Sequence, residues 1–410
     1  MTQEPALSQK RPRTGFVPDE LAVDLEHLKR VTDMLTSLNV AWDNERQDNE
    51  RQSKELGLAL LRLPALDQSV ASISENDLEL AEKYLKRYAP DTPFAQLTAL
   101  DKLLAVLRSR FAAAYGGWTP TMGKNRYVEA VAGLGEINGG GKHNPTPLPY
   151  GESFALPESK GGNDRVRVGV LDTAIVPLPA LAGRYIAGTT SIIDPDAQPG
   201  SVYWGHAAFV AGLILAEAPN AELDVRAVLD PNDGDAFAWD VAKAMVAFAG
   251  SGVRVLNLSF GCMTGDGRPP LVLERAVDKL DPEIVLVAAA GNHGDTKKPN
   301  APVWPAALDD VVAVGALDRD KPAAFSPPDA PWIDLFAPGV DVESLYVDDE
   351  LPLAHRDVHG SLVSDGTKKF NGTAIWSGTS FSAATVSGKI AAGVDPCTSA
   401  RDVVRKMKEQ

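Results

Sequence analysis

The chain of 410 residues has only two cysteines, Cys262 and Cys397. Two thiols supply neither a disulfide framework nor a structural zinc site. Basic charge is also scarce: 40 Lys and Arg stand against 55 Asp and Glu, a formal net charge of −15. A field of that sign repels phosphate backbones and anionic lipid surfaces. The basic clusters are small, Lys297-Lys298 and the tail residues Arg405, Lys406 and Lys408. No apolar run reaches the roughly 18 residues of a membrane span. The first apolar cluster, Leu21 to Leu38, is broken by Asp24, Glu26, His27, Lys29 and Arg30, so it does not read as a secretory leader. Together these gaps predict a soluble cytoplasmic protein with no nucleic-acid and no membrane partner.

What is present is ordinary globular composition, 44% hydrophobic and 23% charged, with 35 Gly and 30 Pro. That excludes a disordered, collagen-like or coiled-coil chain. The length points to two or three units at roughly 150 residues each. Residues 1–115 read as an all-helical N-terminal domain, regulatory or partner-binding. Leu21, Leu25, Leu28, Val31, Leu35 and Leu38 recur at three- and four-residue spacing, the mark of one helical face. Ser74 to Asp77 has the spacing of a capping box, and Thr92-Pro93 reads as a helix start before Leu97, Leu100, Leu103, Leu104 and Leu107. A direct duplication, DNERQ at 43–47 and again at 48–52, reads as a solvated helix or linker. Residues 116–162 read as a Gly/Pro-rich linker, in which the patch Gly117 to Arg126 is rich enough to dock on a neighbour.

From residue 163 onward short β-branched runs alternate with helical segments. Val166–Leu171, Leu223–Leu229, Val253–Leu258, Ile284–Ala289 and Val311–Val314 read as buried strands. Ala236–Ala249 and Pro270–Leu280 read as intervening helices. The alternation predicts an α/β fold with a mainly parallel sheet covered on both faces, three layers in all. Active residues of such sheets collect at the carboxyl ends of strands. Asp172 follows the first strand, and the Asn292 amide follows the fourth after Ala289, Ala290 and Gly291. His206 opens a helix of small residues, as does Ser380 within Gly378-Thr379-Ser380. A hydroxyl there has the N–H groups of the helix start beside it.

These motifs resemble the subtilisin-like serine proteases, the S8 peptidase family, over residues 163–396. The order Asp, His, Ser matches. So do landmarks between them: Leu256 to Gly261, Trp304-Pro305-Ala306, Val311 to Ala316, and Phe336 to Val340. The resemblance implies a catalytic domain over 163–410 that hydrolyses peptide bonds of a peptide or protein substrate. It assigns Ser380 as nucleophile, His206 as base, Asp172 as the group fixing the histidine, and Asn292 with the Ser380 N–H as oxyanion donors. Ser259, Phe260 and Gly261, with Ala289, Ala290 and Gly291, become the substrate walls. No cofactor and no metal are called for. The acidic stretch Tyr346 to Lys369 reads as a solvated loop, and His293 as a surface loop residue.

The match has departures. Ala174 stands where the family has Gly, Ala207, Ala208 and Phe209 replace the residues usual after the histidine, and Ala384 replaces a proline. They spare every proton-transfer group, yet they motivate an alternative, a catalytically silent peptide-binding module. The N-terminal region is longer than the short α/β prosegment of secreted relatives and reads as helical. Its expected role is therefore contact with a protein partner or with the rest of its own chain.

Overall fold

The structure is a computed structural model that describes residues 15–43, 51–89, 92–131, 144–149, 152–159, 161, 165–194, 196–356 and 362–409. Most of the DNERQ duplication lies outside them.

The first third corrects the all-helical expectation. It runs β1 (Phe16–Asp24), α1 (Leu28–Ser37), β2 (Gln52–Ser53), β3 (Leu58–Arg62), α2 (Leu66–Ala71), α3 (Glu75–Leu85) and α4 (Ala99–Ala114), then β4 (Met122–Ala130). Leu21 sits at helical spacing from Leu25 and Leu28, yet it lies in a strand. The reason is non-local pairing: β1 is hydrogen-bonded antiparallel to β3 (Leu21↔Leu61) and to β4 (Ala22↔Gly123). Such ladders override local propensity. Ser74 caps α3 as expected, accepting from the Asp77 N–H. α4, however, starts later than Thr92-Pro93 suggests, at Ala99 behind a Thr98 cap.

Strand alternation gives this small sheet two apolar faces. Leu21, Val23 and Leu61 are buried against Val31, Leu35, Leu103, Leu107 and Phe111 of its own helices. Ala22, Leu58 and Leu60 turn the other way, into the large core that also holds Trp239 and Leu273.

That larger core follows the sequence reading. The central sheet comprises β5 (Arg167–Asp172), β6 (Tyr185–Ala187), β7 (Glu222–Ala227), β9 (Val253–Leu258), β11 (Val285–Ala289), β13 (Val311–Asp318), β14 (Lys321–Pro322) and β15 (Leu335–Pro338). Its order is β14-β13-β11-β9-β5-β7-β6, with β15 also on β13. All pairs are parallel except β13 with β14. Helices α5 (His206–Glu217) and α8 (Thr379–Gly393) are buried almost throughout. They approach so closely that a Cβ at Gly388 would stand 2.7 Å from the Ile214 carbonyl. An aromatic cluster locks them, with Phe209 and Phe381 ring centres 4.4 Å apart beside Trp376 and Tyr346.

On the other side lie α6 (Ala238–Val246) and α7 (Leu271–Lys279). The short strands β8 (Asp235–Phe237), β10 (Phe260–Met263) and β12 (Val303–Trp304) join the N-terminal sheet, in the order β12-β10-β4-β1-β3-β2, with β8 on β4. This corrects the linker expectation for 116–162, because β4 is a nine-residue strand. The acidic stretch is corrected as well. After β16 (Val342–Leu345), Tyr346 is fully buried with its hydroxyl on the Val202 carbonyl. A hairpin follows, β17 (Glu350–Arg356) with β18 (Leu362–Lys369). β19 (Thr373–Trp376) and α9 (Ala400–Lys408) complete the chain.

Polar contacts also clamp the N-terminal sheet to α6 and α7. Arg275 donates to Asp24 at 2.8 Å and to the Leu56 carbonyl at 3.1 Å. Asn125 on β4 accepts from the Trp239 N–H at 3.1 Å. Burial works to raise the Asp24 pKa, but the Arg275 hydrogen bond and charge, with the Glu26 N–H, bring it below the usual 3.8. A carboxyl depressed in the folded state stabilises above its unfolded value and loses that contribution as pH falls. Arg275→Ala is therefore expected to cost about 1–3 kcal/mol at neutral pH. In chemical-denaturation curves the gap to wild type should narrow below about pH 4.

Candidate active site

Asp172 ends β5 and is fully buried. Its Oδ1 lies 2.7 Å from His206 Nδ1 and also accepts the Thr173 N–H at 2.7 Å. Thr173 Oγ1 bonds the Tyr203 carbonyl and accepts the Ala207 N–H, tying the strand end to the start of α5. Because the carboxylate takes the proton side of Nδ1, the neutral imidazole carries its lone pair on Nε2. That nitrogen is buried and has no hydrogen-bond partner. The ring packs 5.7 Å from Trp376 and 5.8 Å from Phe381, the residues that bracket Ser380.

Ser380 lies in the first turn of α8 and is fully buried. Its hydroxyl donates to the Ser259 carbonyl at 3.0 Å and makes no bond to His206 Nε2. A buried chain of side chains supports this turn. Ser387 donates to Asn257, Asn257 to Ser259, and Ser259 Oγ to the Ser380 carbonyl.

The amide of Asn292 is oriented from both ends. Its Oδ1 accepts the Thr379 N–H at 2.9 Å and the Thr379 hydroxyl at 3.0 Å. Its Nδ2 therefore faces the other way, where it donates to the Val131 carbonyl at 2.7 Å. The Val131 N–H donates to the Ser259 carbonyl at 3.1 Å. One residue, Val131, is thus gripped through both its N–H and its carbonyl beside Ser380. A Cβ at Gly378 would stand 3.1 Å from that Val131 oxygen, so glycine leaves the room it needs.

The rest of β4 lies between two walls. It pairs antiparallel with β10 through Phe260↔Ala130 and Gly261↔Glu129. On its other edge it pairs with β8 through Tyr127↔Phe237, Val128↔Ala236 and Glu129↔Asp235. Ser259, Phe260 and Gly261 are thus brought against an extended peptide, and that peptide is the chain's own. Ala289, Ala290 and Gly291 are buried alongside, leading into Asn292.

The sequence reading missed Val131, Ala130 and Val128. The available signal was the apolar run at Val128, Ala130 and Val131, hidden between Gly116-Gly117 and Gly139 to Gly141. It also missed Thr379, which sets the Asn292 amide. His293 is corrected from surface to core: it is fully buried, its Nε2 lies 3.0 Å from the Ala301 carbonyl, and burial lowers its pKa below 6.5. Cys262 is buried on β10, and desolvation pushes its thiol up to about 12, so it stays protonated and unreactive. Cys397 is exposed beyond α8. Among the described residues no group of three or more His, Cys, Asp or Glu is placed to hold a metal ion. No helix among them is long and apolar enough to cross a membrane.

Residues 163–395 match the Peptidase S8, or subtilase, family. The thermophilic serine proteinase of Bacillus sp. strain AK1 is 35% identical over 204 residues, 47% of this chain and 48% of that one. The chain therefore spans about half the length of that relative. Subtilisin DY of Bacillus licheniformis is 34% identical over 215 residues, 49% of this chain and 73% of that one. Among solved structures, a cold-adapted subtilisin-like serine proteinase aligns with a TM-score of 0.44 and 21% identity, covering 68% of this chain and 91% of that one. The prenylagaramide maturation protease PagA aligns with a TM-score of 0.43 and 24% identity, covering 55% and 74%.

The geometry at His206 has a direct spectroscopic consequence. Nitrogen-edited proton spectra should show an exchange-protected ring N–H on Nδ1 that disappears in Asp172→Ala.

Proposed function

The chain belongs to the subtilase family, and from that premise we propose that it is a serine endopeptidase working through Asp172, His206 and Ser380. One observation supports this most strongly. Val131 is held by Asn292 Nδ2 on its carbonyl and by the Ser259 carbonyl on its N–H, beside a buried serine and a histidine with a free lone pair.

In the reaction the Ser380 hydroxyl turns from the Ser259 carbonyl toward His206 Nε2 and gives up its proton there as Oγ bonds to the scissile carbon. The carbonyl oxygen becomes an oxyanion that accepts from Asn292 Nδ2 and the Ser380 N–H. These donors are fixed before the charge forms, so stabilisation needs little reorganisation. Asp172 holds the ring in the required tautomer and stabilises the imidazolium. Collapse breaks the C–N bond, the imidazolium protonates the leaving amine, and water then hydrolyses the acyl-enzyme by the same proton path.

The N-terminal region is, in this reading, an intramolecular inhibitor. Its strand β4 fills the cleft in substrate direction, with Val131 at the position whose following bond is cut. Domain boundaries move accordingly: the regulatory unit extends to Val131, and the catalytic unit follows it. A cytoplasmic setting belongs to the same proposal, and cell fractionation tests it.

Ser380→Ala is expected to abolish peptide cleavage, a loss of about 10⁶-fold by analogy with subtilisin, together with labelling by a serine-directed fluorophosphonate. Peptide binding without labelling in the wild type would instead favour the silent module. Asn292→Ala should lower kcat with little change in KM, by about 10²- to 10³-fold, a magnitude carried over from subtilisin's own oxyanion asparagine. A chain beginning after Val131 should turn over peptides at least tenfold faster than the uncut chain at equal concentration.

A further inference from the structure

The strand seated in the cleft is also a record of which side chains the cleft accepts. Val128, Ala130 and Val131 are fully buried there, whereas Glu129 stays half-exposed. Alternation along a strand puts Val128 and Ala130 on one face and Val131 on the other. Burial of all three therefore means that Val131, just beyond the strand, enters a recess of its own while Asn292 holds its carbonyl.

That recess is already filled from behind. Gly291 precedes Asn292 with φ of +97°, and a Cβ on it would stand 2.7 Å from His293 Nδ1 and 2.9 Å from Val303 Cγ2. Both side chains are fully buried. Val303 is held by β12 pairing with β10 (Met263↔Val303), and His293 is tied to the Ala301 carbonyl. Val131, Ala289 and Val303 are all fully buried in the large core. A long or aromatic side chain in place of the fully buried Val131 has to be fitted into a dense interior, and overpacking is costly. A lysine or arginine would bring a charge into a fully buried position, which is costly unless it is paired.

We infer that this cleft selects peptides with a valine-sized, β-branched or smaller residue before the cleaved bond, an alanine-sized residue one position earlier and an aliphatic residue three positions earlier. Val303 and His293 set the depth of the first recess. The inference rests on the protease reading and names its substrate class. A β-branched residue suits the site for a second reason, since its stiff χ1 fits the extended backbone that the two walls impose.

The test is a panel of Val-Glu-Ala-Xaa peptides, each releasing an amide-linked coumarin, assayed with the full chain and its Ser380→Ala variant. A ranking by kcat/KM does not depend on what fraction of molecules has an open cleft. Valine, threonine and alanine at Xaa are expected to exceed phenylalanine, lysine and arginine by at least tenfold, within the range a filled pocket commonly gives. In Val303→Gly the phenylalanine-to-valine ratio should rise at least tenfold. Ser380-dependent release that favours phenylalanine or lysine overturns the inference and leaves the protease reading intact. No Ser380-dependent release from any member, or from a mixed protein digest, overturns both.

Discussion

The hydrogen bond from Asn292 Nδ2 to the Val131 carbonyl joins the two halves of the molecule at the reacting centre. It depends on Thr379, which pins the other end of the amide, and Thr379 depends on the burial of α8. α8 in turn packs against α5 at a distance only glycine permits. The helix contact therefore fixes the two helix N-termini that carry His206 and Ser380, and the amide that faces them. On the other side, Val131 is held in place by β4, which the N-terminal sheet and the Arg275–Asp24 clamp hold against α6 and α7.

Burial gives these contacts their weight. Asp172, His206, Asn292 and Ser380 are all shielded from solvent while β4 is present. In a dry site each hydrogen bond is stronger than in water, and each unpartnered polar atom is more costly. The free Nε2 of His206 and Oδ2 of Asp172 are such atoms. They are sustained by the packing of Trp376 and Phe381 against the ring, with Phe209 packed on both of those. The Ser380 hydroxyl rests meanwhile on the carbonyl that also takes the Val131 N–H. A cleft closed by its own chain thus holds the parts of the reaction close together but not yet engaged.

Legibility of the sequence divided along this same line. Five strands of the central sheet were readable as local apolar runs, two of them leading to a distinctive residue, Val168 to Leu171 before Asp172 and Val285 to Ala289 before Asn292, whereas the short β6, β14 and β15 carry no such run. His206 and Ser380 were readable because small-residue helices begin at them. The N-terminal sheet was not, since β1, β3 and β4 are defined by pairing across distant segments, and Leu21, Leu25 and Leu28 imitate a helical stripe. β4 was further hidden by the glycines around it. His293 was misplaced because nothing local distinguishes a buried histidine from an exposed one. The small walls Ala289, Ala290 and Gly291 were identified, but their depth is set by Val303, more than ten residues away in the chain.

The position at which the chain cuts itself is the most direct consequence of this arrangement. Intact-mass analysis of purified wild-type protein after incubation should show an N-terminal fragment whose last residue is Val131, and no such fragment from Ser380→Ala. A fragment ending elsewhere, or the same fragment from Ser380→Ala, would contradict the placement of β4 as the occupant of a working active site.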